Sequence, residues 1–187
     1  MDNSVQIKKA IEIVKNGGTF LYPTETVIGL GCDATNKKAI SKLYEIKKRP
    51  KEKSFIILVD SIEMIKKYCK SINQHEIKLL NQNKPTTVIL NDIKHLPQSL
   101  LFNDGSIGVR ITKHPIIKSF ISTLNKPIVS TSANISGETP INSIENVNPD
   151  ILERIDYNLN LQFTYKTTQT PSQIVKVENG KTIFIRR

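Results

Sequence analysis

Segments with the apolar spacing of helices alternate along this chain with short apolar runs that are typical of strands. In the first helix pattern, residues 4–16, Ile7, Ile11 and Val14 recur on one face before a pair of glycines ends it. Further helix patterns lie at residues 37–48, from residue 61 onwards and around residues 116–124. Strand patterns lie at residues 19–22, 54–59, 86–90, 106–112 and 127–131. This alternation predicts an α/β fold.

The last two predicted strands form a hairpin. Residues 173–177 and 182–185 flank Asn179-Gly180, a dipeptide that favours the tight turn of two-residue hairpins. A hairpin after alternating strands and helices predicts a mixed parallel and antiparallel sheet in one domain, residues 1–187. Alternation along the last strand places Arg186 on one face with Phe184, while Arg187 is expected to be a frayed terminal charge.

The composition excludes several classes of protein. With 38% hydrophobic and 24% charged residues in 187, the chain is expected to be globular rather than disordered. No apolar run approaches the roughly 20 residues of a membrane span, and the first residues lack the apolar region of a signal peptide. Two cysteines and three scattered histidines fit neither a disulfide framework nor a zinc site. We expect a cytoplasmic protein and no metal site formed by its side chains.

The formal net charge of +10 indicates an anionic partner, which could be a nucleotide, a nucleic acid or both. Only five of the 27 basic residues are arginines, and the planar arginine fork suits carboxylates and phosphates. These arginines are Arg49, Arg110, Arg154, Arg186 and Arg187. Eight basic residues crowd into residues 37–53, where most of the lysines are expected to form a solvated helix face.

Two polar segments at predicted element ends have alternative interpretations. The segment of residues 22–31, which contains Thr24-Glu25-Thr26 and two glycines, could let the backbone approach a ligand. Composition alone favours a tight turn that needs positive φ. At residues 47–50, the proline biases Arg49 away from helical geometry, so Lys47 and Arg49 could converge on one anion. A basic helix end interacting with its own dipole is equally compatible.

The third polar segment is residues 130–137, which follow a predicted strand. Continued strand geometry would place Ser130, Ser132 and Asn134 on one face. Short hydroxyl and amide groups can hold a sugar, an amino acid or phosphate oxygens. The alternative is a turn rich in bonds between side chains and backbone, but eight residues is long for a turn, which favours a binding role.

Four motifs in this order resemble the YrdC/TsaC family of threonylcarbamoyl-AMP synthases. They are Tyr-Pro-Thr-Glu-Thr at 22–26, Lys-Lys-Arg-Pro at 47–50, Gly-Val-Arg-Ile-Thr-Lys-His-Pro at 108–115 and Ser-Thr-Ser-Ala-Asn-Ile-Ser-Gly at 130–137. The resemblance extends from about Val5 to the end of the chain. It implies a YrdC-like fold, in which helices flank a twisted mixed sheet.

The resemblance also implies a set of site residues. Its Lys-x-Arg and Ser-x-Asn motifs match Lys47, Arg49, Ser132 and Asn134, which would carry the reaction. ATP would contact six residues, namely Arg49, Lys53, Ser106, Ser132, Asn134 and Arg186. Threonine would contact four, namely Thr24, Arg110, Ser130 and Ser172.

The implied reaction joins threonine, bicarbonate and ATP into threonylcarbamoyl-AMP and pyrophosphate for tRNA modification. Fixed positive charge from Lys47 and Arg49, with Mg²⁺, would bring the anionic substrates together, and Arg110 could take the carboxylate of threonine. No residue is placed as a clear general base, and His114 is expected to be a turn residue. A tRNA threonylcarbamoyl-transferase complex would use the product, and the basic surface could bind tRNA weakly.

Two other classes of protein compete with this interpretation. A non-catalytic RNA-binding module would explain the charge, but the basic cluster has no stacking aromatics besides Tyr44. A carbamoyl-transferring domain of hydrogenase-maturation proteins would share the fold, but those proteins carry zinc-finger cysteines that this chain lacks. Pyrophosphate formation that depends on threonine would separate the enzyme from both.

Overall fold

The computed structural model describes residues 2–141, 143–161, 168 and 170–187. Its helices are α1 (Asn3–Lys15), α2 (Lys37–Ile46), α3 (Ile62–Tyr68), α4 (Gln74–Leu80), α5 (Pro115–Leu124) and α6 (Pro149–Arg154). Its strands are β1 (Phe20–Tyr22), β2 (Gly29–Gly31), β3 (Ile56–Val59), β4 (Thr86–Leu90), β5 (Ile107–Ile111), β6 (Ile128–Ser132), β7 (Tyr157–Asn158), β8 (Gln173–Glu178) and β9 (Lys181–Arg186). None of the helices in these ranges is long and apolar enough to cross a bilayer.

The strands join in one mixed sheet in the order β7-β1-β2-β6-β3-β5-β4-β8-β9. The pairs β1/β7, β3/β5 and β4/β8 are parallel, and the other neighbouring pairs are antiparallel. Helices pack on the sheet through contacts such as α3 and α5 on β3 and α4 on β4. The predicted α/β fold with a mixed sheet flanked by helices is therefore confirmed.

Short polar side chains fix the starts of the predicted helices. The Asn36 side chain accepts hydrogen bonds from two backbone amides at the start of α2, and the Ser61 hydroxyl accepts one at the start of α3. His114 is the N-cap of α5, where its ring nitrogen accepts a hydrogen bond from the Ile117 amide. His114 is thus a buried capping residue rather than the turn residue that the sequence predicts.

The two faces of the central sheet have different surroundings. Ile57 and Val109 turn toward α3, where they border a small void with Ile65 and Tyr68. Alternation along the same strands turns Ile56 and Arg110 to the opposite face. That second face is open to solvent through a large cleft.

The interpretation of Gly29 and Gly31 as turn glycines with positive φ is wrong. Both lie on β2, and neither has positive φ. A Cβ at Gly29 would lie 2.8 Å from the Tyr22 ring, and one at Gly31 would lie 2.2 Å from the carbonyl oxygen of Val129. The glycines therefore provide room for an aromatic ring and a neighbouring strand, which local sequence does not reveal.

The strict alternation predicted for the last strand is also wrong. The turn lies at Asn179-Gly180, as predicted, but Ile174 pairs with Arg186 while Val175 pairs with Phe184. Ile185 is the extra residue of a β-bulge, which shifts the side-chain directions that follow it. As a result, Ile185 and Arg186 both line the cleft.

Candidate functional site

The cleft lies across one face of the sheet and has a volume of about 800 Å³. Its floor follows the strand register: Ser130 pairs with Ile56, Ile56 with Gly108, Gly108 with Ile89, and Ile89 with Lys176. Directly paired residues point to the same face of a sheet. One row therefore runs across five strands, from a hydroxyl through apolar side chains to an ammonium group.

Arg110 stands on the floor of the cleft, although it is only 3% exposed. Its guanidinium Nε lies 3.4 Å from Glu25 Oε1, and its Nη1 donates a hydrogen bond to Thr26 Oγ1 at 3.4 Å. A buried guanidinium with one carboxylate partner and an exit to the cleft is suited to a second carboxylate.

The segment between β1 and β2 forms a wall beside Arg110. Thr24 Oγ1 donates to the carbonyl of Val27 at 2.6 Å and lies 2.9 Å from Thr26 Oγ1. Both hydroxyls border the cleft. The bonds within the segment hold these hydroxyls in place without any helix or strand at residues 24–27.

Two of the three residues in the predicted polar row reach the cleft. Ser130 and Ser132 line it from the end of β6. Asn134 is not among the described residues that border it, because its amide nitrogen donates to the carbonyls of Ile135 and Glu138. Strand geometry ends at Ser132, so the alternation does not extend to Asn134.

Lys47 is 1% exposed and does not border the cleft in the described structure. Its ammonium group donates to the carbonyl of Ser132 at 2.5 Å and to that of Asn134. Its own carbonyl accepts a hydrogen bond from the Ser136 amide at 3.0 Å. Lys47 therefore ties the end of α2 to the loop after β6.

Burial lowers the pKa of Lys47 to about 7, an effect that the Arg49 charge strengthens and the Glu138 carboxylate opposes. Lys48, which lies between Lys47 and Arg49, adopts a left-handed φ of 47°. Of the two side chains, only that of Arg49 borders the described cleft, so convergence of both on one anion stays one of two interpretations.

Arg49 borders the cleft, and backbone carbonyls and an aromatic ring hold its guanidinium in place. Its Nε donates to the carbonyl of Lys53 at 2.7 Å, its Nη2 donates to that of Ser54 at 2.8 Å, and its guanidinium lies 5.0 Å from the centre of the Phe55 ring. Lys53 also borders the cleft. Most other lysines of residues 37–53, such as Lys37, Lys38, Lys48 and Lys51, are exposed, as expected for a solvated face.

Arg186 reaches the cleft from the bulged end of β9. Its Nε and Nη2 donate to the carbonyl of Ser172 at 3.1 and 2.8 Å. The Ser172 hydroxyl in turn lies 2.8 Å from Thr87 Oγ1. Burial and the charge of Arg110 both lower the pKa of Arg186, so the two guanidinium groups are close enough to interact.

Two acidic side chains border the cleft. They are Glu52 and Asp104, and Asp104 Oδ1 accepts the Ser106 hydroxyl at 2.5 Å. Across the described residues, no three His, Cys, Asp or Glu side chains are grouped so as to hold a metal ion. A Mg²⁺ ion in this cleft would therefore take most of its ligands from substrate phosphates and water.

The structure thus brings most of the predicted site residues to one cleft. They are Thr24, Arg49, Lys53, Ser106, Arg110, Ser130, Ser132, Ser172 and Arg186. Lys47 and Asn134 support the loop behind it. Sequence reasoning missed Glu25 and Thr26 as partners of Arg110, although both stand in a motif that it had singled out.

Comparison with known proteins places the chain among close relatives. The family model Sua5_yciO_yrdC, described as "Telomere recombination", matches residues 12–187. A protein of Hydrogenovibrio crunogenus named "Threonylcarbamoyl-AMP synthase" is 40% identical over 74% of this chain and 77% of its own. A protein of the same name from Pseudoalteromonas translucida is 34% identical over 97% of this chain and 98% of its own.

A solved structure supports the same relationship. The crystal structure of P. abyssi Sua5 complexed with L-threonine superposes with a TM-score of 0.86 at 26% identity. The match covers 96% of this chain and 53% of the Sua5 chain, so this chain spans about half the length of that protein.

Replacement of Lys47 by methionine tests its structural role. We expect Lys47→Met to lower the free energy of unfolding by about 2 kcal/mol at pH 9, because two buried carbonyls lose their donor. Lys48→Met is the matched control, since Lys48 is exposed, and should change it by less than about 0.5 kcal/mol. Urea denaturation of the three proteins measures the difference.

The same proteins give a pH test. Between pH 7 and the ordinary lysine pKa of about 10.4, the unfolded chain binds a proton that folded Lys47 does not. The stability advantage of wild type over Lys47→Met should therefore grow as pH rises through this range and shrink as it falls. Equal stability of wild type and Lys47→Met from pH 6 to pH 10 would contradict the assignment.

Proposed function

The chain belongs to the Sua5/YciO/YrdC family, and on that premise we propose that it is a threonylcarbamoyl-AMP synthase. It converts L-threonine, bicarbonate and ATP to threonylcarbamoyl-AMP, pyrophosphate and water. The observation that carries the proposal is the cleft itself, which places a buried guanidinium suited to a carboxylate beside a more open group of cations suited to phosphates.

The Arg110 end of the cleft binds threonine. The guanidinium takes the substrate carboxylate, and the hydroxyls of Thr24 and Ser130 lie on the same cleft walls to receive the ammonium and hydroxyl groups. Ser172 also borders the cleft, and we assign its hydroxyl, which lies 2.8 Å from Thr87 Oγ1, to the threonine end. The L-threonine bound to P. abyssi Sua5, a structure of the same fold, supports this substrate.

Three of the four other cations described in the cleft bind ATP, while the fourth, Lys176, is paired with Glu178 at 3.0 Å. Arg49, Lys53 and Arg186 supply three positive charges for the triphosphate, and the hydroxyls of Ser106 and Ser132 add hydrogen bonds. Because no three ligating side chains group together among the described residues, Mg²⁺ would arrive bound to the phosphates of the nucleotide substrate. The apolar side chains of Ile174 and Ile185 border the same space and provide an apolar surface beside the cations.

The chemistry requires two substitutions in sequence. The threonine ammonium group first loses a proton to solvent, and the free amine attacks the carbon of bicarbonate. A carbon–oxygen bond then breaks to release water and leave a carbamate. A carbamate oxygen then attacks the α-phosphorus, and the bond from that phosphorus to the bridging oxygen breaks to release pyrophosphate. The cleft contributes by aligning the threonine carboxylate, bicarbonate and the triphosphate against fixed positive charge.

Lys47 and Asn134 contribute indirectly, because their hydrogen bonds stabilise the loop that follows β6. The ammonium of Lys47 fixes the carbonyls of Ser132 and Asn134, and the Asn134 amide closes the turn at Glu138. These bonds keep the Ser132 hydroxyl in the cleft. Both residues are therefore positioning residues for nucleotide binding rather than phosphate ligands.

The wider role follows from the product. As a nucleotidyltransferase in the cytoplasm, the protein supplies threonylcarbamoyl-AMP to a tRNA threonylcarbamoyl-transferase complex. The exposed lysines of residues 37–53 are available for weak contact with tRNA.

A pyrophosphate-release assay tests the function. We expect release only when threonine, bicarbonate and ATP are all present. Serine should support at least about tenfold lower kcat/KM, because it lacks the methyl group of threonine. Pyrophosphate release at the same rate without any amino acid would exclude this activity.

The two C-terminal arginines provide a matched pair for the nucleotide end. Arg186→Ala should raise the KM for ATP at least about tenfold, because a charge-assisted hydrogen bond of about 1.5–3 kcal/mol is lost. Arg187→Ala should stay within about twofold, because its guanidinium lies over the Phe184 ring at 5.0 Å and does not border the described cleft. Equal KM values in the two variants would remove Arg186 from the ATP site.

A further inference from the structure

The Glu25 carboxylate lies directly behind the cleft and is one of its most deeply buried charges. Glu25 is 4% exposed and does not border the described cleft, whereas its neighbours Thr24 and Thr26 do. Its Oε2 accepts a hydrogen bond from Thr112 Oγ1 at 3.0 Å, and Oε1 lies 3.4 Å from Arg110 Nε. A charge in this position cannot touch substrate, but it can act through Arg110.

Both partners of Glu25 come from β5 and the residue that directly follows it. Arg110 lies on β5, and Thr112 is the first residue after the strand, where its amide still donates to the carbonyl of Val59 on β3. The two residues are two positions apart in extended chain, so their side chains share a face. The Thr112 hydroxyl fixes one carboxylate oxygen and leaves the other against the guanidinium. The orientation of Glu25 is thereby determined by the same strand that carries the arginine.

The guanidinium is held on two of its nitrogens. Glu25 faces Nε, and Thr26 accepts from Nη1. Neither Glu25 Oε1 nor Arg110 Nε has a hydrogen bond of ordinary geometry among the described residues, so their contact is electrostatic. The side chain nevertheless borders the cleft, so a ligand there can reach the guanidinium.

The Glu25 carboxylate also affects the net charge of the site around Arg110. Arg186 and Arg110 border the same cleft, and the charge of Arg110 lowers the pKa of Arg186, so an uncompensated Arg110 would add a second strong cation to that space. Such a pair of cations would attract a phosphate group as well as a carboxylate. With Glu25 in place, the net charge of the Arg110 site is zero before substrate binds.

We propose that Glu25 is a positioning residue for Arg110, whose carboxylate directs the guanidinium and cancels its charge so that the site takes the single carboxylate of the amino acid rather than a phosphate. This inference rests on the proposed function, because it assigns the amino-acid substrate to Arg110. It concerns specificity between the two anionic substrates, which must occupy neighbouring parts of one cleft.

The test compares steady-state kinetics of wild type and Glu25→Gln, which removes the charge and keeps the size. The KM for threonine should rise at least tenfold, while the KM for ATP stays within twofold. Inorganic phosphate should inhibit the variant in competition with threonine at concentrations at least fivefold lower than in wild type. A merely structural role would change both KM values together.

Two further variants keep the test decisive. Asp33→Asn is the matched control: Asp33 is a buried carboxylate paired with Lys126 at 2.7 Å, away from the cleft, and its loss should leave both KM values within twofold. Thr112→Val keeps the Glu25 charge but frees its orientation, and should raise the KM for threonine about threefold even if Glu25→Gln does not fold.

The outcomes separate failure of the role of Glu25 from failure of the proposed synthase activity. A wild-type protein that needs no threonine contradicts the proposed function, and the inference with it. A wild type that depends on threonine, with an unchanged threonine KM in Glu25→Gln and Thr112→Val, overturns the inference alone. Equal changes in both KM values, or unaltered phosphate inhibition, also overturn it.

Discussion

The pairing of β3 with β5 on one side and β6 on the other determines which side chains reach the cleft. Ile56 pairs with Gly108 and with Ser130, and Leu58 pairs with Arg110. A slip of one residue in either pairing would turn Arg110 or the serines to the helix-covered face. Gly108 adds depth, because a Cβ there would lie 2.8 Å from Ile56 Cγ2. The strand register therefore decides which side chains line the cleft, and their chemistry then decides what the cleft can bind.

Charges in this protein are separated by burial as well as by position. The Arg110 guanidinium is buried beside a carboxylate, and the Lys47 ammonium is buried and donates to backbone carbonyls. The Arg49 guanidinium borders the cleft and donates two hydrogen bonds to backbone carbonyls. Each arrangement leaves a different amount of positive charge for a ligand. Under the proposed function, this gradation would direct a carboxylate and a triphosphate to different parts of one cleft.

The sequence predicted what depends on local rules. The helix patterns at residues 37–48 and from residue 61 onwards and the Asn179-Gly180 turn came from apolar spacing and backbone preference, and the structure confirms them. Strand β2 was missed because its glycines accommodate the Tyr22 ring, a contact that no periodicity shows. The burial of Lys47 was missed because its partners, Ser132 and Asn134, lie more than 80 residues away in the chain.

The central claim is that Arg110 takes the threonine carboxylate and that Lys47 supports the nucleotide site without touching phosphate. A crystal structure of the protein with L-threonine and a non-hydrolysable ATP analogue tests it most directly. We predict the threonine carboxylate on the Arg110 guanidinium, the triphosphate on Arg49 and Arg186, and the Lys47 ammonium still on the carbonyls of Ser132 and Asn134. A threonine carboxylate bound away from Arg110, or a Lys47 ammonium turned to the phosphates, would contradict the account.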